Sequence, residues 1–180
     1  MKLGQGFTLL VGGARSGKSD LAVGLGTAWA GTVTFVATAE AGDEDMARRI
    51  ARHREDRPDS WELVEAPAFS ASDLLVIDAD ALVIVDCITM LTTNLLLAES
   101  PEAEIEASLA QLAEAAASRS APTLMISNEV GLGVHPPTEI GRQFRDLLGR
   151  INKQLAASAT DALLIVAGRA LPLEQVDVTW

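Results

Sequence analysis

Apolar runs rich in β-branched residues alternate along the chain with longer amphipathic stretches. The runs are Phe7–Val11, Thr32–Ala37, Trp61–Val64, Leu82–Val85, Thr123–Ser127 and Ala162–Ala167. Short runs of this composition are typical of buried strands. The tail from Leu171 to Val178 is a candidate for one more strand. Strands that alternate with helices predict right-handed βαβ units, and therefore an α/β fold with a mostly parallel sheet covered by helices on both faces.

The intervening stretches carry helical spacing. The predicted helices are Lys18–Ala28, Asp43–Asp56, Ile88–Ala98, Glu102–Arg119 and Thr138–Ser158. Thr138 is placed as an N-cap, and Pro58 ends the second helix because proline disfavours helix in the residue before it. Ser70–Ala79 is ambiguous, and a helix is favoured there. No linker or repeat divides the sequence, so residues 1–180 are expected to form a single domain.

A glycine-rich segment joins the first predicted strand to the first predicted helix. Its residues are Gly12, Gly13, Ala14, Arg15, Ser16, Gly17, Lys18 and Ser19. The pattern is that of a P-loop, in which glycines let backbone N–H groups point at phosphate oxygens and a helix N-terminus adds positive potential. A glycine-rich turn that caps the helix is the alternative. Arg15 could contact a phosphate or remain solvated.

An aspartate follows the apolar strand Leu82–Val85. In P-loop proteins an acidic residue at such a strand end holds Mg²⁺ together with the loop hydroxyl, so Asp86 and Ser19 are the candidate metal ligands. Lys18 is expected to reach the β- and γ-phosphates. Asp86 could instead cap the helix that begins near Ile88. Cys87 beside it is interpreted as a small buried residue rather than a nucleophile.

Composition and net charge limit the kinds of molecule that the protein is expected to bind. The chain has 180 residues, 48% of them apolar, and a net charge of −11. Nucleic acid needs a basic face, so no nucleic-acid partner is expected. A single cysteine fits a reducing compartment, and no apolar run reaches the ~20 residues of a membrane span. We therefore expect a cytoplasmic protein.

One of the two histidines lies in an arginine cluster. His53 is surrounded by Arg49, Arg52, Arg54 and Arg57 within about one helical turn on either side. In an acidic protein this cluster is a local anion site, and positive neighbours favour the neutral, nucleophilic imidazole. The alternative is a solvent-exposed surface on which the arginines form ion pairs with neighbouring carboxylates. Those carboxylates are Glu44, Asp45, Glu55 and Asp56.

Four segments resemble one enzyme family. They read GGARSGKS, MARRIARHREDRPDSWELVEA, VDCITMLTTNLL and SNEVGLGVHPPTEIGRQFRDLLGRINKQLA. Together they are similar to the bifunctional adenosylcobinamide kinase/adenosylcobinamide-phosphate guanylyltransferases of cobalamin synthesis, over about Leu9 to Ala167. The P-loop alone would not separate this family from other NTPases, whereas the His-Arg segment and Asn128–Gly133 are more specific.

The resemblance implies two activities. The family phosphorylates adenosylcobinamide with a nucleoside triphosphate and then transfers GMP from GTP to adenosylcobinamide phosphate, through a guanylyl-histidine that maps to His53. The implied nucleotide contacts are the phosphate loop, Ala37, Thr38, Ala39, Arg54, Glu55, Asp56, Arg57, Glu65 and Asp86. Glu65 has suitable chemistry, because a carboxylate accepts hydrogen bonds from guanine N1–H and the 2-amino group. Whether the kinase step uses ATP or GTP stays open.

The resemblance also implies architecture and partners. The expected fold is a RecA-like P-loop NTPase with an antiparallel strand near the C-terminus, and the expected assembly is a homotrimer. Mg²⁺ is the expected metal, and the corrinoid is the small-molecule partner. Two other functions remain possible from the residues alone: a plain P-loop kinase that leaves His53 idle, and a nucleotide-binding switch without catalysis.

The segment after the fifth strand has two interpretations. Asn128 and Glu129 come at a strand end, where α/β proteins place ligand contacts, so they could position the corrinoid or the nucleotide. They could equally belong to a polar turn that contains Gly131 and Gly133. His135, where the family commonly has a small apolar residue, is interpreted as a local variant without a catalytic role.

Overall fold

The computed structural model of the protein describes residues 3–40, 48, 54 and 57–176. Within these residues seven strands form one sheet. They are β1 (Phe7–Gly12), β2 (Val33–Ala37), β3 (Glu62–Glu65), β4 (Leu82–Asp86), β5 (Thr123–Asn128), β6 (Asp161–Val166) and β7 (Arg169–Pro172). Their order is β3-β2-β4-β5-β1-β6-β7, and only the β6–β7 pair is antiparallel. The predicted mostly parallel sheet with a C-terminal antiparallel strand is confirmed.

Helices cover the sheet in the described segments. They are α1 (Lys18–Thr27), α2 (Ala71–Val76), α3 (Ile88–Leu97), α4 (Glu102–Ala117) and α5 (Glu139–Ser158). The predicted cap of α5 is confirmed, because the Thr138 hydroxyl accepts from the Gly141 N–H at 3.2 Å. The ambiguous segment after Phe69 is a helix of 6 residues. It begins with a capping box in which Ser70 and Asp73 each bind the other's backbone N–H.

Side chains of the central strands alternate between two buried clusters, one on each face of the sheet. Leu9, Val83 and Met125 face the cluster that α3, α4 and α5 cover. Leu10, Ile84, Leu124 and Ile126 face the cluster that includes Ala22 of α1. Strands buried on both faces explain the continuous apolar runs in the sequence. The carboxyl ends of β1, β4 and β5 therefore meet at one edge, where the site described below lies.

Two of the changed boundaries have a visible cause, and one predicted helix is described only in part. The last strand was predicted at Leu171–Val178, but β7 begins at Arg169 because Ala167 (φ 51°) and Gly168 (φ 73°) form a tight turn after β6. β3 begins at Glu62 instead of Trp61, whose indole packs on Phe35. Of the predicted helix Asp43–Asp56, only Arg48 and Arg54 are described, and both are helical; the other residues lie outside the described part. Among the described helices, none is long and apolar enough to cross a bilayer.

A buried arginine holds the end of α4 to the connection between α2 and β4. Arg119 is 7% exposed, and its guanidinium donates to four backbone carbonyls. The acceptors are Leu74 O (3.3 Å), Ile77 O (3.3 Å), Asp78 O (2.7 Å) and Ala81 O (2.8 Å). The side chain thus adds charged donors to a segment in which Leu74 O and Asp78 O also accept from the Ile77 and Ala81 N–H groups.

We expect Arg119→Ala to lower the free energy of unfolding by about 3 kcal/mol, because buried carbonyls lose charged donors. Arg119→Lys should recover less than half of this loss, since one ammonium cannot reach all four acceptors. Urea denaturation measures both changes. The exposed Arg169→Ala is the matched control, and a loss under 1 kcal/mol in Arg119→Ala would contradict the assignment.

Candidate active site

The glycine-rich segment forms a loop between β1 and α1. Gly17 (φ 98°) and Arg15 (φ 57°) have left-handed backbones, and α1 begins at Lys18. A Cβ at Gly12 would lie 2.3 Å from the Ile165 carbonyl oxygen, so only glycine fits there. The turn between β6 and β7 supports the loop, because Gly168 N–H donates to Ser16 O at 2.8 Å. The loop backbone is thereby fixed in a phosphate-binding shape.

Lys18 lies under the loop and is 6% exposed. Its ammonium donates to Gly12 O at 2.9 Å and to Gly13 O at 2.7 Å. Burial lowers the pKa of Lys18, while the neighbouring Cys87 and Asp86 act in the opposite direction. The loop, Lys18 and Asp86 line a cavity of about 260 Å³. A cation at its base can neutralise phosphate charge within it.

Two oxygen donors meet beside this cavity. Ser19 Oγ donates to Asp86 Oδ2 at 3.0 Å across the ends of α1 and β4. Asp86 does not cap the next helix, because the N-cap of α3 is Cys87. In the described ranges no group of three or more His, Cys, Asp or Glu could hold a metal ion. One carboxylate and one hydroxyl suit Mg²⁺, which takes its other ligands from substrate phosphates and water.

The segment after β2 is tied to β4. The Thr38 hydroxyl donates to Cys87 O and accepts from Cys87 N–H, both at 2.7 Å. The Asn94 amide of α3 donates to Thr38 O at 2.8 Å and to Pro67 O at 3.0 Å. Thr38 is fully buried, and the hydrogen bonds of its hydroxyl hold the ends of β2 and β4 side by side. Burial, reinforced by Asp86, raises the pKa of the Cys87 thiol to about 12, which agrees with a non-nucleophilic Cys87.

A second cavity adjoins the first and shares Ser19, Asp20 and Asp86 with its lining. Its volume is about 330 Å³, and its lining includes Asp20, Phe35 and Arg57. The Arg57 guanidinium stacks 4.0 Å from the centre of the Phe35 ring. Burial lowers the pKa of Arg57, opposed first by the Asp86 carboxylate. The phosphate cavity thus continues into a pocket with an aromatic face and a cation.

Comparison with protein families decides what this loop-and-carboxylate arrangement belongs to. The model of the family described as CobU, cobinamide kinase / cobinamide phosphate guanyltransferase, matches residues 8–173. The chain belongs to this family. It is 38% identical over 167 residues to the bifunctional adenosylcobalamin biosynthesis protein CobP of Pseudomonas aeruginosa, covering 92% of this chain and 96% of that protein. The Escherichia coli protein CobU is 36% identical over 175 residues, covering 89% and 95%.

Solved structures with low sequence identity share the fold. An ATPase from a type III secretion system superposes with a TM-score of 0.59 at 14% identity, covering 90% of this chain and 51% of that one. The chain thus spans about half the length of that ATPase. The RadB recombinase gives a TM-score of 0.52 at 20% identity, covering 90% and 74%. The predicted RecA-like P-loop fold of this CobU-family chain is confirmed.

The structure brings some of the predicted residues together. Gly12 to Ser19 and Asp86 surround one cavity, and Arg54 and Arg57 line a neighbouring cavity of about 110 Å³ beside Phe35 and Trp61. Glu65 is exposed at the end of β3, paired in register with Ala37. Ala39 is half-buried one residue after Thr38. His53, Glu55 and Asp56 lie outside the described residues, so their roles stay predictions.

Sequence reasoning missed several residues of the site. Phe35 and Trp61 stack with ring centres 6.4 Å apart, yet each lies in an ordinary apolar run. Asn94 donates a hydrogen bond to Thr38, which lies 56 positions earlier in the chain, and no sequence motif identifies Asn94. A polar residue inside the apolar helix Ile88–Leu97 is the one available signal. His135 lies on an exposed loop, and its Nδ1 is 2.8 Å from the Arg145 guanidinium.

Proposed function

We propose that this member of the family phosphorylates adenosylcobinamide and then transfers GMP from GTP to the product, which gives adenosyl-GDP-cobinamide and pyrophosphate. The observation that carries the proposal is the intact phosphate loop, with Lys18 beneath it and Ser19 3.0 Å from Asp86, in a chain of this family. In both reactions a phosphate group leaves with negative charge, so both need positive charge beside the leaving group.

In the kinase step the corrinoid hydroxyl oxygen attacks the γ-phosphorus, the bond from that phosphorus to the β-phosphate oxygen breaks, and the hydroxyl proton passes to water. The loop N–H groups and Lys18 stabilise the charge on the leaving diphosphate. Ser19 and Asp86 would hold Mg²⁺, which supplies further positive charge to the β- and γ-oxygens when bound. The nucleotide in this step is GTP or ATP.

In the transfer step an imidazole nitrogen of His53 attacks the α-phosphorus of GTP. The bond from that phosphorus to the bridging oxygen breaks, and pyrophosphate leaves. An oxygen of the corrinoid phosphate then attacks the same phosphorus, and the phosphorus–nitrogen bond breaks. Two in-line displacements replace one reaction between two anions. Four arginines close to His53 in sequence support this role, and Glu65 is the proposed reader of the guanine edge.

We extend the proposal to the setting of the enzyme. A homotrimer is proposed from the family resemblance. A cytoplasmic location is supported by a single cysteine, and the absence of a nucleic-acid partner is supported by the net charge of −11. Sedimentation of the purified protein measures the oligomeric state directly.

The decisive experiment is to incubate the protein with Mg²⁺ and α-³²P-labelled GTP, denature it, and count label retained on the chain. We expect retained label that acid removes and alkali spares, which is the behaviour of a phosphoramidate. GTP labelled on the γ-phosphate should leave no label, because pyrophosphate departs. Bound, unreacted GTP without covalent label would overturn the transferase proposal and leave a plain kinase or a nucleotide switch.

A further inference from the structure

Asn128 lies between the two catalytic strand ends. It ends β5, which pairs with β4 on one side and with β1 on the other, and in the register it stands opposite Gly12 of the phosphate loop. Asn128 lines the 260 Å³ cavity, together with Lys18, Ser19 and Asp86. The three strands that carry the loop, the carboxylate and this amide therefore converge on one space.

The backbone of Asn128 is held on both sides by buried polar groups. Its N–H donates to Thr89 Oγ1 of α3 at 2.7 Å, and its carbonyl accepts from Asn152 Nδ2 of α5 at 2.9 Å. Asn152 Oδ1 in turn accepts from Ser127 Oγ at 2.6 Å. Thr89, Ser127 and Asn152 are all buried, with at most 6% exposed. Placing three buried hydroxyl and amide groups around one residue fixes its position firmly.

The Asn128 carboxamide has no role in the turn that follows. The turn is closed by Glu129 Oε1, which accepts from Gly131 N–H at 2.8 Å, and by Val130 O, which accepts from Gly133 N–H at 3.4 Å. With the described part of the chain, the Asn128 side chain makes no hydrogen bond. A firmly held backbone, on the wall of a phosphate cavity, that carries an amide with unused donors and acceptor is arranged to bind a ligand.

We infer that the Asn128 carboxamide donates a hydrogen bond to the terminal phosphoryl group of a nucleoside triphosphate in the phosphate loop. This inference rests on the proposed function and adds a positioning group to it. The amide is neutral, so neither an anionic phosphate nor a cation held by Ser19 and Asp86 repels it. It can therefore approach a phosphate in the cavity that Lys18 and Asp86 also line. This hydrogen bond favours binding of a triphosphate over a diphosphate. It also stabilises the terminal phosphoryl group during transfer to the acceptor hydroxyl.

The test is nucleotide binding by Asn128→Ala and Asn128→Asp, measured by calorimetry with GDP and with β,γ-imido GTP. For Asn128→Ala we expect roughly tenfold weaker triphosphate binding and GDP binding within about twofold, because one hydrogen bond to a charged oxygen is lost. Asn128→Asp should weaken triphosphate binding further, because it adds a negative charge. The phosphorylation kcat should fall on the order of 10²-fold in both variants. The exposed Gln154→Ala is the control that should change nothing.

Equal losses of GDP and triphosphate binding would show that Asn128 only shapes the loop, and unchanged binding of both would show that it touches neither. Either result overturns the inference. The two binding measurements need no corrinoid turnover and no histidine adduct. A failure of the proposed guanylyl transfer would therefore appear in the labelling experiment and leave the GTP/GDP comparison readable.

Discussion

Replacing His53 with alanine is expected to lower guanylyl transfer by at least about 10⁴-fold and to leave phosphorylation of adenosylcobinamide within about twofold of the unmodified protein. The asymmetry follows from the two mechanisms. Transfer passes through a bond from the imidazole to the α-phosphorus, whereas phosphorylation is a direct displacement at the γ-phosphorus. Transfer of α-label and of γ-label to the corrinoid measures the two steps separately.

His135→Ala is the matched control, because it removes the other histidine of the chain. His135 lies on an exposed loop and contacts Arg145, so both activities and the covalent label should persist. Equal loss of both activities in His53→Ala would indicate damage to the fold. Full retention of transfer would place the nucleophile elsewhere.

Lys18→Met should lower both activities by about 10³-fold, because both leaving groups lose the same buried cation. Methionine keeps the length and the apolar stem and removes the charge. Burial already lowers the pKa of Lys18, so the uncharged side chain relieves a desolvated charge. The change also removes the charged donor to Gly12 O and Gly13 O, which outweighs this relief, so the melting temperature should fall. Steady-state kinetics of each step, with calorimetric melting, measures the result.

Lys153→Met, on the exposed side of α5, is the control with unchanged kinetics. The Lys18 variant also decides how many nucleotide sites the protein uses. If one step survives while the other is lost, the two reactions bind their nucleotides at separate places. Parallel loss places both at the loop between β1 and α1.

Local signals account for what the sequence predicted. The phosphate loop is a contiguous motif, and its geometry depends on glycines at fixed spacing, so Gly12 and Gly17 could be assigned from the sequence alone. The cap at Thr138 depends on the three residues that follow it and is confirmed. Asp86 was recognised because it ends a buried apolar run. In each case the residues that determine the structure are neighbours in sequence.

Long-range contacts account for what was missed. The bond from Asn94 to Thr38 and the stack of Arg57 on Phe35 join residues whose proximity depends on the order of strands. No periodicity in a single sequence reports that order. The boundary error at β7 has a different cause: Ala167 adopts a positive φ, which the apolar run did not reveal.

The position of β1 within the sheet makes nucleotide binding depend on strands that are synthesised long after the loop. The loop leaves the ribosome before β5 and β6, yet these two later strands are the neighbours of β1 in the sheet. The turn at Gly168, which donates to Ser16 O, follows later still. A nascent chain that ends before Thr123 would therefore hold the whole phosphate-loop motif without either flanking strand, and should not retain nucleotide until the β6–β7 hairpin has emerged.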